Sequence, residues 1–113
     1  MSADCLQVTV AAPSREEADR LAGTAVTARL AACGQVIGPA SSTYWWDGRV
    51  QQAEEWLCIL KTTGTRYPEL EAHLRSVHSH QNPEIIATPV AAASEDYLTW
   101  LHAETAARTR ESP

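Results

Sequence analysis

His78 and His80 stand two apart in the run His78-Ser79-His80-Gln81-Asn82-Pro83-Glu84, and residues at i and i+2 of an extended segment face the same way. Neutral imidazole suits copper, zinc and nickel, so these two rings, with an oxygen from Glu84, are the candidate metal ligands of the sequence. Two nitrogens and a carboxylate do not close a coordination sphere, so a further chain or water would have to complete it. The competing reading is a pair of loop histidines near a helix end with no ligand at all. Cys33 offers thiol chemistry, as a soft copper(I) ligand or as a nucleophile. No Asp or Asn is evidently placed to orient a histidine beside it, and free cysteine is among the most buried residue types, so packing is its simpler role.

A second group is aromatic. In Tyr44-Trp45-Trp46 the first and third side chains share one face of a strand and Trp45 takes the other. Such rings could line a cleft between subunits, with Lys61 and Glu84 as polar anchors and Trp56 nearby, or they could serve as large rigid interface anchors. The Glu54-Glu55 pair reads as a solvated or inter-subunit charge feature, not as acid and base machinery.

These side chains must be positioned by a short series of elements. Leu6, Val8 and Val10 alternate with polar residues, a half-buried strand ending at Pro13. Ser14-Arg15-Glu16-Glu17 is a capping box, in which the Ser14 hydroxyl would accept from the Glu17 amide and the Glu17 carboxylate from the Ser14 amide. The stripe Ala18, Leu21, Ala22, Ala25, Ala28, Ala32 then predicts a helix that packs closely on a sheet and stops at Gly34, with Cys33 at its end. Val36-Ile37 opens a second strand, interrupted by a bulge or an edge at Gly38-Pro39 and resumed through Trp46.

Asp47-Gly48 is a type I′ hairpin turn, which sets Trp46 opposite Arg49 and Trp45 opposite Val50. The returning strand runs from Arg49 to about Thr62. After Gly64-Thr65, Tyr67, Leu70, Leu74 and Val77 mark a second helix, with Pro68 tolerated in its first turn. The run Glu84-Ile85-Ile86-Ala87-Thr88 is a fourth strand closed by Pro89. Ser94 caps a last helix with Tyr97, Leu98 and Leu101 inward. The order β-α-β-β-α-β plus a terminal helix predicts an α+β fold, the ferredoxin-like split βαβ sandwich.

The chain has 113 residues, too few for a second core, so residues 1–113 read as one domain with residues 6–101 as its ordered core and a polar tail at 108–113. A net charge of −5 with no basic cluster argues against a nucleic-acid partner, and no stretch has the roughly twenty apolar residues of a membrane span. Met1-Ser2-Ala3-Asp4 carries no mark of a secretory leader. Cys5, Cys33 and Cys58 lack paired spacing, so reduced thiols and a cytoplasmic location are expected.

The sheet raises a packing problem. Trp56, Cys58 and Leu60 point one way and Leu57 and Ile59 the other, and Ile85-Ile86-Ala87 is apolar on both sides. Helices cover one face of a two-layer sandwich. The second face therefore needs other copies of the chain, with the long hairpin reaching across, or else the terminal helix folded over it through Tyr97, Trp100 and Leu101.

Five segments carry a family resemblance: Arg29-Leu30-Ala31-Ala32-Cys33, Ser42-Thr43-Tyr44-Trp45-Trp46-Asp47-Gly48-Arg49, Leu60-Lys61-Thr62, His78 through Pro83-Glu84-Ile85-Ile86, and Tyr97-Leu98-Thr99-Trp100. In this order and spacing they resemble the CutA divalent-cation tolerance family over nearly the whole chain. The resemblance implies a ferredoxin-like fold, a tight homotrimer built like the PII signalling proteins, and a cytoplasmic role in tolerance of divalent metals, copper(II) above all, with no organic cofactor and no catalytic activity. Where relatives read His-Pro-Tyr and an acidic residue, this chain has His78-Ser79-His80-Gln81, and Val10 stands where some relatives carry a cysteine proposed as a copper ligand. Two further readings compete with metal tolerance. One is a PII-like signalling or scaffold module that takes a small ligand in its inter-subunit clefts; the other is an enzyme using Cys33 or Lys61.

Overall fold

The computed structural model describes residues 5–106. The expectations for Met1-Ser2-Ala3-Asp4 and for the 108–113 tail lie outside the described residues. The elements run β1 (Leu6–Ala12), α1 (Arg15–Thr27), β2 (Cys33–Trp46), β3 (Arg49–Thr62), α2 (Tyr67–Val77), β4 (Ile85–Pro89) and α3 (Glu95–Thr105). One antiparallel sheet has the order β2-β3-β1-β4, the split βαβ arrangement that the alternation predicts. Helices α1 and α2 cover one face. Leu21, Leu70 and Leu74 press there against Val8, Val10 and Leu60, all fully buried.

α1 begins as expected but ends early. The Ser14 side chain accepts from the Glu17 amide at 3.1 Å, one half of the capping box. The helix stops at Thr27, seven residues short of Gly34, so Ala28 and Ala32 do not extend the stripe. Arg29 takes the left-handed position that glycine usually fills (φ 62°). Its amide donates to the Val26 carbonyl and the Leu30 amide to the Ala25 carbonyl, each at 3.0 Å, which satisfies two terminal carbonyls. A left-handed non-glycine residue costs about 1–2 kcal/mol. Tertiary contacts hold it: the Arg29 guanidinium donates to the Glu104 carboxylate at 2.8 Å and to the Glu104 carbonyl at 3.1 Å, which ties α1 to α3.

Cys33 and Gly34 accordingly open β2; they do not close α1. Gly34 faces α1, where a Cβ would stand 2.9 Å from Leu60 Cδ2 and 3.0 Å from Ala22 Cβ, so its glycine lets helix and sheet approach. The strand keeps its bulge, since pairing slips between Ile37↔Leu57 and Ala40↔Glu55. At the hairpin tip Asp47 (φ 54°) and Gly48 (φ 74°) make the expected turn, with Trp46 opposite Arg49 and Trp45 opposite Val50. β4 begins at Ile85, one residue later than expected. It takes in Pro89, paired with Leu6 on an outer strand where a missing donor costs no ladder bond.

Among the described residues the second sheet face is only partly covered. α3 packs over one end, with Leu101 against Cys5 and Ala32. Beyond it Leu57 and Ile59 are half-buried, while Ile37 and Ile86 remain 55% and 53% exposed.

Candidate functional site

His78 follows directly on α2, and its ring is buried against the end of β1. The His80 amide donates to its Nδ1 at 3.0 Å, which leaves the proton on Nε2, and Nε2 donates to the Ala11 carbonyl at 2.7 Å. Both ring nitrogens are thus committed to backbone groups. His80 is exposed, its ring centroid 5.2 Å from that of His78. Glu84 is exposed too and meets β1 through its carbonyl, which accepts from the Ala11 amide at 3.4 Å.

The residue that sequence reasoning missed here is Glu17. Its carboxylate does not return to the Ser14 amide. It accepts from the Ser79 amide and the Ser79 hydroxyl, each at 2.8 Å, and lies 3.5 Å from His78 Nδ1. Burial pushes the Glu17 carboxyl up, but the two Ser79 bonds, with the Arg20 charge, outweigh it and hold the group below the ordinary carboxylate value. The arrangement staples the segment after α2 to the first turn of α1. A glutamate three residues after a cap was the only signal in the sequence, and it pointed to another partner.

Among the described residues no three His, Cys, Asp or Glu side chains gather so as to hold a metal ion. His78, His80 and Glu84 are near one another along the chain, yet His78 has no lone pair to give. A resident metal does not fit these residues within one chain.

Cys33, Lys61 and Gln7 form one row across the uncovered face, because Lys61 is paired with Cys33 on one side and with Gln7 on the other. Cys33 Sγ lies 3.4 Å from the Tyr97 hydroxyl, so α3 caps this row. Burial, then the bond to Cys33, pushes the Tyr97 phenol up to about 12 and keeps it protonated. Burial likewise raises Cys5 at the same end of the face, and it raises Cys58, on the helix-covered face, to about 11. Lys61 Nζ donates to Gln35 Oε1 at 3.5 Å. A cavity of about 500 Å³ opens here, with Cys5, Gln7, Cys33, Gln35 and Lys61 as its floor and Val90, Ala93 and Tyr97 as its wall. Of these, Cys33 and Lys61 were singled out from sequence as site residues, and Tyr97 as part of the helix that could cover this face.

The expected aromatic cleft is not assembled within one chain. Lys61 pairs with Gln7 whereas Glu84 meets Ala11, four residues or about 13 Å farther along β1. Tyr44, Trp45 and Trp46 sit at the far tip of the hairpin, Trp45 and Trp46 being 74% and 65% exposed. Trp56 is half-buried, packs against the helix-covered core and lies over Gly38.

Known proteins share this architecture. Residues 6–104 match the family described as CutA1 divalent ion tolerance protein. The divalent-cation tolerance protein CutA of Thermus thermophilus is 37% identical over 98 residues, which cover 87% of this chain and 95% of that one. A solved Thermus thermophilus divalent cation tolerance protein superimposes with a TM-score of 0.87 at 36% identity, over 89% of this chain and 98% of the other. The rice chloroplastic protein CutA 1 is 38% identical over 94 residues and 83% of this chain, but the chain spans only 53% of that relative's length. With its split βαβ sheet, its long aromatic hairpin and likeness over most of its length, the chain belongs to the CutA1 divalent ion tolerance family.

Proposed function

We propose that this protein serves divalent-cation tolerance as a non-enzymatic cytoplasmic homotrimer. Family membership over residues 6–104 is the observation that carries the role. The assembly is supported by the half-covered sheet. Ile37, Leu57, Ile59 and Ile86 form an apolar strip beyond α3, and the hairpin tip carries Tyr44, Trp45 and Trp46 outward as anchors for a neighbouring chain. No helix among the described residues is long and apolar enough to cross a membrane.

Direct binding of copper(II) or another divalent ion falls to His80 and Glu84, completed by water or by groups of a neighbouring chain. His78 and Cys33 hold structure. Copper titration of the wild type, His80→Ala and His78→Ala separates these roles. His80→Ala should abolish the binding heat, while His78→Ala should retain it and lower stability by about 2–3 kcal/mol, because the Ala11 carbonyl and His80 amide lose their partner. Equal heats from wild type and His80→Ala would remove His80 as a ligand. Copper tolerance in cells that lack the endogenous homologue tests the role itself, with no restored growth as the refuting result.

A further inference from the structure

The cavity between α3 and the uncovered sheet face is unlike the rest of this acidic molecule. The chain has 14 acidic and 9 basic residues, yet among the described residues no carboxylate lines this space. Among the described residues its only charge is Lys61, which makes no ion pair with any of them. The contact of Lys61 with Gln35 sits at the outer limit of a hydrogen bond and leaves the cation unneutralised.

Around it stand groups able to donate. Pairing with Lys61 sets Gln7 on its face, and Gln35 keeps its amide NH₂ free while its oxygen meets Lys61. The protonated Tyr97 hydroxyl and the raised Cys5 thiol complete the polar floor. Val90, Ala93 and the Tyr97 ring supply an apolar wall. A half-buried cation, neutral donors and one greasy side are what a small anion with a short hydrocarbon body requires.

We propose that this cavity binds a small aliphatic monocarboxylate, its carboxylate on Lys61 and its chain against Val90, Ala93 and Tyr97. One cation matches one negative charge. A phosphate dianion would keep an uncompensated charge in a partly buried site and would leave the apolar wall unused. The site lies within a single chain, so it stands or falls apart from the metal role.

Calorimetric titration of the full chain with butyrate, against butyramide as the uncharged molecule of the same shape, tests the proposal. Butyrate should bind saturably in the millimolar range expected of so small a ligand, and butyramide should not. Lys61→Met should weaken butyrate binding about tenfold or more, Lys61→Arg should keep it within a few-fold, and Tyr97→Phe should lose a few-fold. Bound butyrate should also slow alkylation of Cys33 by iodoacetamide. Should Lys61→Met fail to fold, Lys61→Arg, Tyr97→Phe and the protection of Cys33 still decide. The proposal is overturned by any of four results: no saturable binding, equal binding of butyramide, tighter binding of inorganic phosphate, or an unchanged Cys33 alkylation rate at saturating butyrate.

Discussion

Glu17 is placed by its spacing to close a capping box, and tertiary structure draws it elsewhere. The local bond to the Ser14 amide would offer one donor, whereas Ser79 brings two donors to a buried carboxylate. The consequence is a defined dependence on acid. A carboxyl whose folded value lies below its ordinary value of 4.5 contributes stability in full above that value, and the contribution fades as pH falls through the folded value. Glu17→Gln should therefore be less stable than the wild type at neutral pH, on the order of 1–3 kcal/mol. The two should converge on acidification below about pH 4.5. Urea titrations at a series of pH values measure this, and a gap that is constant with pH would exclude the Ser79 staple as its source. His78 teaches the same lesson. Its residue type suits a metal, but the chain turns it inward to hold the Ala11 carbonyl and the His80 amide.

At the scale of elements, β1, the hairpin, α2, β4 and α3 were legible from sequence because each rests on local physics: alternation, a two-residue turn, a cap or a spaced apolar face. The end of α1 was not legible. Its stop is a left-handed arginine, a residue without glycine's freedom, and what stabilises it is Glu104, distant in the chain and visible only once α3 has docked. The alanine stripe ran on past Thr27 because small residues suit a tight loop as well as a helix face. Gly34 consequently looked like a terminator when its purpose is clearance between α1 and the sheet. Gly34→Val should force Ala22 and Leu60 apart and destabilise the fold by about 1–3 kcal/mol, the usual effect of overpacking. Chemical denaturation measures the loss, and a neutral substitution would show that α1 can shift without cost. The candidate sites were legible only as residue types. Which histidine faces water, and that Lys61 gathers two glutamines and a tyrosine, depend on pairings across the sheet that no local spacing encodes.

For the whole molecule, the governing fact is that the two sheet faces are treated unequally. One carries a closed core beneath α1 and α2, and among the described residues the other is covered only at the end where α3 docks. Apolar surface left beyond α3 would stabilise the proposed assembly in proportion to the area removed from water, about 25 cal/mol per Å². Ile37→Asp combined with Ile86→Asp should shift the particle seen by light scattering toward the 12.3 kDa of one chain and lower its melting temperature. An unchanged mass would mean that assembly uses another surface. The hairpin gives this question an optical handle. Its two neighbouring indoles, Trp45 and Trp46, stand in water on an isolated chain, whereas Trp56 is half-buried against the core. Iodide should quench the first pair readily in a dissociated sample and lose access to it as chains associate. With Trp100, 41% exposed on α3, replaced by Phe, the fluorescence of this one arm would then report association while the Trp56 signal reports folding, which separates in a single cuvette two events that a melting curve merges.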